Sequence, residues 1–212
     1  MTLVLGDLHM KSAAKYFILA LSAIRLIPHV YVMRFSPNRD LVWADLSRWG
    51  QIRRVGQPRN CLEQVALFVE LMTLAPEYRT LFYYRTGFTG RLLAILCRPM
   101  ATLELAANRI GPGLFIQHGY ATTVSAEEIG ENCWINQQVV IGYTNVTDRP
   151  TIGNNVKIHA GAKVLGKVTV GDNSTVGANS VVIQDVPPNV TILGVPAKVV
   201  RIDKARETHE KS

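Results

Sequence analysis

Cysteine is scarce in this chain: three residues in 212, Cys61, Cys97 and Cys133, widely separated and with no CxxC pair. An odd, dispersed set fits neither a disulfide framework nor a thiolate zinc site, and it suits a reducing, cytoplasmic environment. The five histidines offer no HxxxH spacing, so no metal is expected. No Walker A segment and no GxSxG elbow occur, which removes support for P-loop phosphoryl transfer and for triad hydrolysis. Long apolar runs are also missing. The nearest, residues 16–33, is interrupted by Arg25, Pro28 and His29. A spanning helix needs about 20 mostly apolar residues, so a buried or interfacial helix with peripheral membrane contact at most is expected there. Residues 1–10 lack the basic segment, apolar run and small-residue site of a secretory leader.

Acidic residues are in deficit only in the first half. Residues 1–109 hold 14 Lys and Arg against 7 Asp and Glu, whereas residues 110–212 hold 9 of each, so the net charge of +7 arises entirely from the first half. The arginines are scattered and lack interleaved aromatics, so no nucleic-acid partner is expected. Apolar residues in this half recur at helical spacing, as in Leu62, Val65, Ala66, Phe68, Val69 and Met72. Ser36-Pro37-Asn38 and Gly56-Gln57-Pro58 break the pattern, and Asp40 or Asp45 is a candidate start or cap for the helix carrying Leu46 and Trp49.

A different period governs the second half. Ile110 and Ile116, then Ile129, Ile135 and Ile141, then Ile152, Ile158, Val164, Val170, Val176 and Val182 stand six apart within each run. A step of six turns roughly 240° around an α-helix, so these residues would share no helical face. Three short strands per turn of a coil place every aliphatic residue inward, with Gly or Asn at the corners where the backbone torsion is unusual. Single turns cannot bury their own apolar face, so they stack and share one core. The expected fold is α+β: an α-helical region over residues 1–101, a left-handed parallel β-helix of hexapeptide repeats over 102–202, and a polar tail over 203–212. The period slips twice, between Ile116 and Ile129 and between Ile141 and Ile152. Loops inserted there leave the shared core intact, which makes them natural places for function.

His118 falls in the first slip, within Ile116-Gln117-His118-Gly119-Tyr120. An imidazole titrating near neutrality is suited to taking a proton from a hydroxyl, and a carboxylate partner would fix its tautomer. Glu104, fourteen residues upstream, is the nearest preceding acid. His159 sits at a repeat corner where a small residue is usual. His9, His29 and His209 have no comparable setting.

The segments IGPGLFIQHGYATTV, PTIGNN, HAGAKVLGKVTVGDNSTVGANSVV, DVPPN and GVPAKVV resemble the serine O-acetyltransferase family of hexapeptide acyltransferases and the related sugar O-acetyltransferases of polysaccharide biosynthesis. Pro76-Glu77-Tyr78-Arg79 and Phe82-Tyr83-Tyr84-Arg85 are similar to the helical region before the coil in that family. The resemblance implies acetyl-CoA as co-substrate, a hydroxyl-bearing small molecule or sugar as acceptor, and a homotrimer with active sites between neighbouring coils, open to higher assembly through the helices. It implies His118 as catalytic base, Glu104 as its candidate partner, and the backbone N–H of Gly142 or Tyr143 as oxyanion donor. Gln117, Tyr143 and Arg149 become candidate acceptor-binding residues. Ala160, Ala162 and Ala178 would leave room for the pantetheine arm, and Lys163 and Lys198 are candidates for the CoA phosphates.

Three positions depart from the family pattern. Gln117 replaces the acid before the base, Arg149 occupies the histidine position of the family's Arg-His-Pro, and Leu103 stands where the dyad aspartate is usual. These departures leave acetyl transfer intact but take from the serine ammonium one expected carboxylate. The expected function is acetyl transfer to L-serine or a similar small hydroxyl acceptor. A sugar hydroxyl is the alternative, and a non-catalytic assembly module the second.

Overall fold

Strands of two or three residues cannot persist alone, so each must be held by its neighbours in the turns above and below. The computed structural model, which describes residues 12–53 and 57–202, shows how. Three parallel sheets form the faces of a left-handed prism of about five turns. The first sheet stacks β1 (Leu103–Leu105), β4 (Thr122–Val124), β7 (Val140–Gly142), β10 (Lys163–Leu165) and β13 (Val181–Val182). The second stacks β2 (Arg109–Ile110), β5 (Glu128–Ile129), β8 (Thr151–Ile152) and β11 (Thr169–Val170). The third stacks β3 (Phe115–Ile116), β6 (Trp134–Ile135), β9 (Lys157–Ile158), β12 (Thr175–Val176) and β14 (Val190–Gly194). Antiparallel pairing of β14 with β15 (Ala197–Ile202) closes the coil.

The aliphatic series forms inward columns. Ile110, Ile129, Ile152 and Val170 share one, and Ile116, Ile135, Ile158, Val176 and Ile192 another. The third adds Leu105 and Val124 to Ile141, Val164 and Val182, two members that the uniform period hides because slips flank them. Each fully buried Val or Ile contributes about 1.5–3 kcal/mol. The corners refine the sequence expectation. At the edge between the second and third sheets the left-handed torsion falls on Gly113, Asn132, Asn155, Asn173 and Asn189. Asn155 Nδ2 donates to Asn173 Oδ1 at 3.1 Å, and Asn173 Nδ2 to Asn189 Oδ1 at 3.0 Å. The glycines after the aliphatic residues serve close stacking instead: a β-carbon on Gly111 would stand 2.8 Å from the backbone of Gly130.

Four helices precede the coil: α1 (Ser12–Phe35), α2 (Arg39–Ile52), α3 (Cys61–Leu74) and α4 (Pro76–Leu93). The expected boundary at 101/102 falls between α4 and β1; the tail 203–212, with His209, and residues 1–10, with His9, lie outside the described residues. Residues 16–33 belong to α1, which runs through Pro28 with Leu26, His29 and Met33 buried and its other face open. Asp40 lies in the first turn of α2, whose N-cap is Asn38.

Asp45 is no cap. It is buried and fastens the helices to the first turn of the coil. Its Oδ2 accepts from Arg85 Nε at 2.8 Å, while Oδ1 accepts from Gly113 N at 2.8 Å. Arg85 also donates to the carbonyls of Ile110 and Gly111, and Trp49 Nε1 donates to Leu114 O at 2.9 Å. Burial raises the Asp45 carboxyl pKa, opposed by Arg85 and by the Gly113 and Leu114 amides. Removing one member of such a pair strands the other's charge in low dielectric. Arg85→Leu should therefore lower unfolding free energy by about 3–5 kcal/mol, measured by chemical denaturation.

A second buried relay links α1 to the end of the helical region. Tyr83 OH donates to Cys97 O at 2.5 Å, so its oxygen accepts from His29 Nε2 at 3.0 Å. Burial lowers the His29 pKa below the ordinary 6.5. The native ring stays neutral while the unfolded one takes a proton, so stability falls as pH drops through about 6.5. The melting temperature should decline between pH 7.5 and 5.5 by less in His29→Gln than in the parent chain.

Candidate active site

The first slip in the repeat becomes an enlarged corner between β3 and β4, at the edge joining the third sheet to the first. His118 is exposed there at φ 62°, a left-handed torsion that L-residues other than Asn and Gly seldom adopt. Its carbonyl accepts from Tyr120 N, and Gly119 is buried behind it. A β-carbon on Gly119 would stand 3.0 Å from Glu77 Cγ and 3.1 Å from Leu103 Cδ2. Leu103, at the family's dyad position, therefore reaches this corner without a carboxylate. Glu77, from the first turn of α4, brings a carboxylate-bearing side chain to the same place. Sequence reading missed Glu77 because it is 41 positions from His118, and only helix docking brings it near.

The corners beneath His118 stack along the same edge. Gln138 N donates to Tyr120 O at 2.8 Å, Gly161 N to Gln137 O at 3.1 Å, and Asn179 N to Ala160 O at 2.9 Å. Half-buried Ala160 and exposed Ala178 therefore lie in line with His118, with half-buried His159 beside them. Burial, and then Lys157, lower the His159 pKa. Gln137 Oε1 on this edge is buried without a hydrogen-bond partner, an acceptor with no motif or spacing to mark it in the sequence. Ala162 departs from the expectation for it. It is fully buried, so its methyl faces the coil interior and only its backbone can border the edge.

The other candidates lie elsewhere. Glu104 is exposed on β1, across from Thr123 in the adjoining rung. Half-buried Gln117 donates its N–H to Ile135 O at 2.8 Å. Gly142 is buried at the end of β7, where its carbonyl accepts from Gly166 N at 3.0 Å. It opens the second slip, residues 143–150, on the edge between the first and second sheets. Asn145 Oδ1 organises that loop by accepting from Thr147 N at 3.0 Å and Asp148 N at 3.1 Å. Arg149 Nη1 donates to Asn108 Oδ1 at 2.9 Å, and its guanidinium lies 5.8 Å from the Tyr143 ring centre. Within one chain, then, His118 and Gln117 share one edge, while Gly142, Tyr143 and Arg149 share another.

Lys163 projects from β10, its Nζ donating to Gly161 O at 2.8 Å. Lys198 on β15 lines a groove of about 320 Å³ with Asp185, Pro187 and Pro196. That groove is at the opposite edge of the third sheet from β3, remote from His118. The three cysteines are free. Burial pushes the Cys133 thiol up to about 12, far from a reactive thiolate. Among the described residues no cluster of three metal-ligating side chains occurs.

A left-handed hexapeptide coil with an imidazole at an enlarged corner defines an acyltransferase of the hexapeptide class. Residues 149–184 match the bacterial transferase hexapeptide (six repeats) family. The chain is 43% identical over 155 residues to a serine acetyltransferase of Staphylococcus aureus, spanning 70% of this chain and 73% of that protein. It is 36% identical over 149 residues to the Helicobacter pylori enzyme, spanning 64% and 87% respectively. Against the serine acetyltransferase of Synechococcus elongatus the identity is 39% over 125 residues, and the match spans about half (51%) of that relative's length. Among solved structures, Neisseria gonorrhoeae serine acetyltransferase superposes with a TM-score of 0.64 at 24% identity, over 90% of this chain and 79% of that one. The soybean apoenzyme gives 0.58 at 29%, over 81% and 74%. The chain belongs to the serine acetyltransferase family.

Gly161, at φ 74° on the edge below His118, admits no side chain without strain, and a β-carbon there would meet Asn179 Oδ1. Gly161→Val should cost about 1–3 kcal/mol, read as a lower denaturation midpoint.

Proposed function

We propose that this chain transfers the acetyl group of acetyl-CoA to the hydroxyl of L-serine, acting as a cytoplasmic homotrimer with His118 as general base. The observation that carries the reading is His118 itself: an exposed imidazole in a left-handed corner, at the head of the edge along which Ala160 and Ala178 stack, in a chain of this family. Support for the acceptor comes from the soybean enzyme solved with serine, 28% identical with a TM-score of 0.57. The Brucella abortus enzyme solved with coenzyme A shares the fold. The sugar-acceptor and non-catalytic readings are not favoured, since the relatives and neighbours named are serine acetyltransferases.

In the proposed reaction His118 takes the hydroxyl proton as the acceptor oxygen attacks the thioester carbonyl. The tetrahedral oxyanion accepts from the backbone N–H of Gly142 or Tyr143. Collapse breaks the C–S bond, and the proton passes from His118 to the departing sulfur. His118 and the Gly142 corner occupy different edges of one coil. A site holding both therefore requires neighbouring chains, which is the physical argument for the trimer. Arg149 on the second edge offers a guanidinium to the serine carboxylate. Glu104 and Glu77 are the two acids offered as partners for the imidazole or for the substrate ammonium.

An acceptor screen following CoA release, with serine and nucleotide sugars side by side, tests the assignment. Serine should be the productive acceptor, and His118→Ala should lower kcat by about 10²–10⁴ with the melting temperature retained. Turnover with sugars alone, or full activity in His118→Ala, would sink it.

A further inference from the structure

The outer face of α1 is apolar and uncovered. Phe17, Leu21, Ile24, Ile27, Tyr31 and Phe35 are each between 56 and 71% exposed, although the opposite face holds Leu26 and Met33 in the core. The window Ala14–Phe35 has a mean hydropathy of 1.6 with only 22% of it buried. A second exposed set, Phe88, Leu92 and Ile95, lies at the end of α4, beside α1 where His29 meets Tyr83.

The charge around these residues is predominantly positive; the acid alongside α1, Glu70 of α3, is paired with Lys15 at 2.7 Å. Residues 8–39 contain no Asp or Glu, and neither do residues 78–103. The cations in those stretches that stand exposed on the two helices and just beyond include Arg25, Arg34, Arg91 and Arg98. Apolar side chains interspersed with aromatic rings and with arginines in excess over carboxylates match a surface that is apolar beneath and anionic at its rim. A second copy of the same face would oppose arginine to arginine, the neighbouring Glu70 being already paired with Lys15 of its own chain. By length and composition α1 could cross a bilayer, but in this fold His29, Leu26 and Met33 pack its inner face on α3 and α4, which leaves only the outer face for lipid.

We infer that the outer face of α1, continued by the end of α4, docks the protein onto an anionic phospholipid surface, with α1 lying in the plane of the headgroups. The inference is independent of the acceptor assigned to the active site.

Co-sedimentation of the full chain with vesicles tests it, comparing pure phosphatidylcholine with vesicles containing about one-third phosphatidylserine. Sedimentation with the anionic vesicles should exceed that with neutral ones about tenfold or more and should weaken in high salt. The double variant Ile24→Asp, Tyr31→Asp changes two exposed positions. It should abolish sedimentation while the melting temperature and CoA release stay at parent levels. Failure to sediment, equal binding to both vesicle types, or unaltered binding by the double variant would each overturn the inference. So would a fall in particle mass by light scattering in that variant, which would make the face a contact between copies of this chain.

Discussion

No turn of this coil can bury its own apolar face, and everything else in the molecule follows from that constraint. A strand of two residues has two neighbours in its sheet and none elsewhere, so its backbone groups and its one inward aliphatic side chain depend on the turns above and below. The constraint dictates three inward columns, near-uniform rung length, and corners that turn sharply. It also fixes where variation is tolerated. Residues can be added only at corners, and the two slips of the repeat become the His118 corner and the 143–150 loop.

A stack of this kind needs something to cover its first turn. Here the helices do so through buried polar contacts as well as apolar packing. Asp45 joins Arg85 to Gly113, Arg85 reaches the carbonyls of Ile110 and Gly111, and Trp49 reaches Leu114. Trp49 also packs at a tilt on Phe115, which packs in the same way on Trp134, each with ring centres 4.6 Å apart. These contacts seat α4 so that Glu77 meets the His118 corner. Docking and site are thus coupled: the helix that Arg85 anchors to the coil is also the one that brings Glu77 to the Gly119 corner.

The prism geometry divides the candidate residues. His118 belongs to one edge and the Gly142–Arg149 group to another, so the proposed chemistry, which uses both, would draw on neighbouring chains. The C-terminal groove with Lys198 shows the converse, a concavity made by one chain alone and far from the imidazole. A family departure acquires a physical form in the same way. Leu103, which the resemblance aligns with the expected aspartate, reaches the Gly119 corner with a packing side chain only, so a carboxylate at this corner must arrive from another element.

The six-residue spacing of Ile and Val determined the coil by itself, because a local period maps directly onto a repeating local structure. It located His118 for the same reason, since a broken period marks a loop. The basic excess of the helical half, with no Asp or Glu in residues 8–39 and 78–103, was likewise legible as a matter of composition. The sequence could not assign Asp45 to a buried pair 40 positions from its partner, show Leu105 and Val124 completing the third column, or turn the Ala162 methyl inward. Nor could it bring Glu77 to Gly119 or separate His118 from Arg149 by an edge of the prism. Those depend on how helices and rungs dock in three dimensions. There, distance along the chain ceases to measure distance in space, and only tertiary packing decides what touches what.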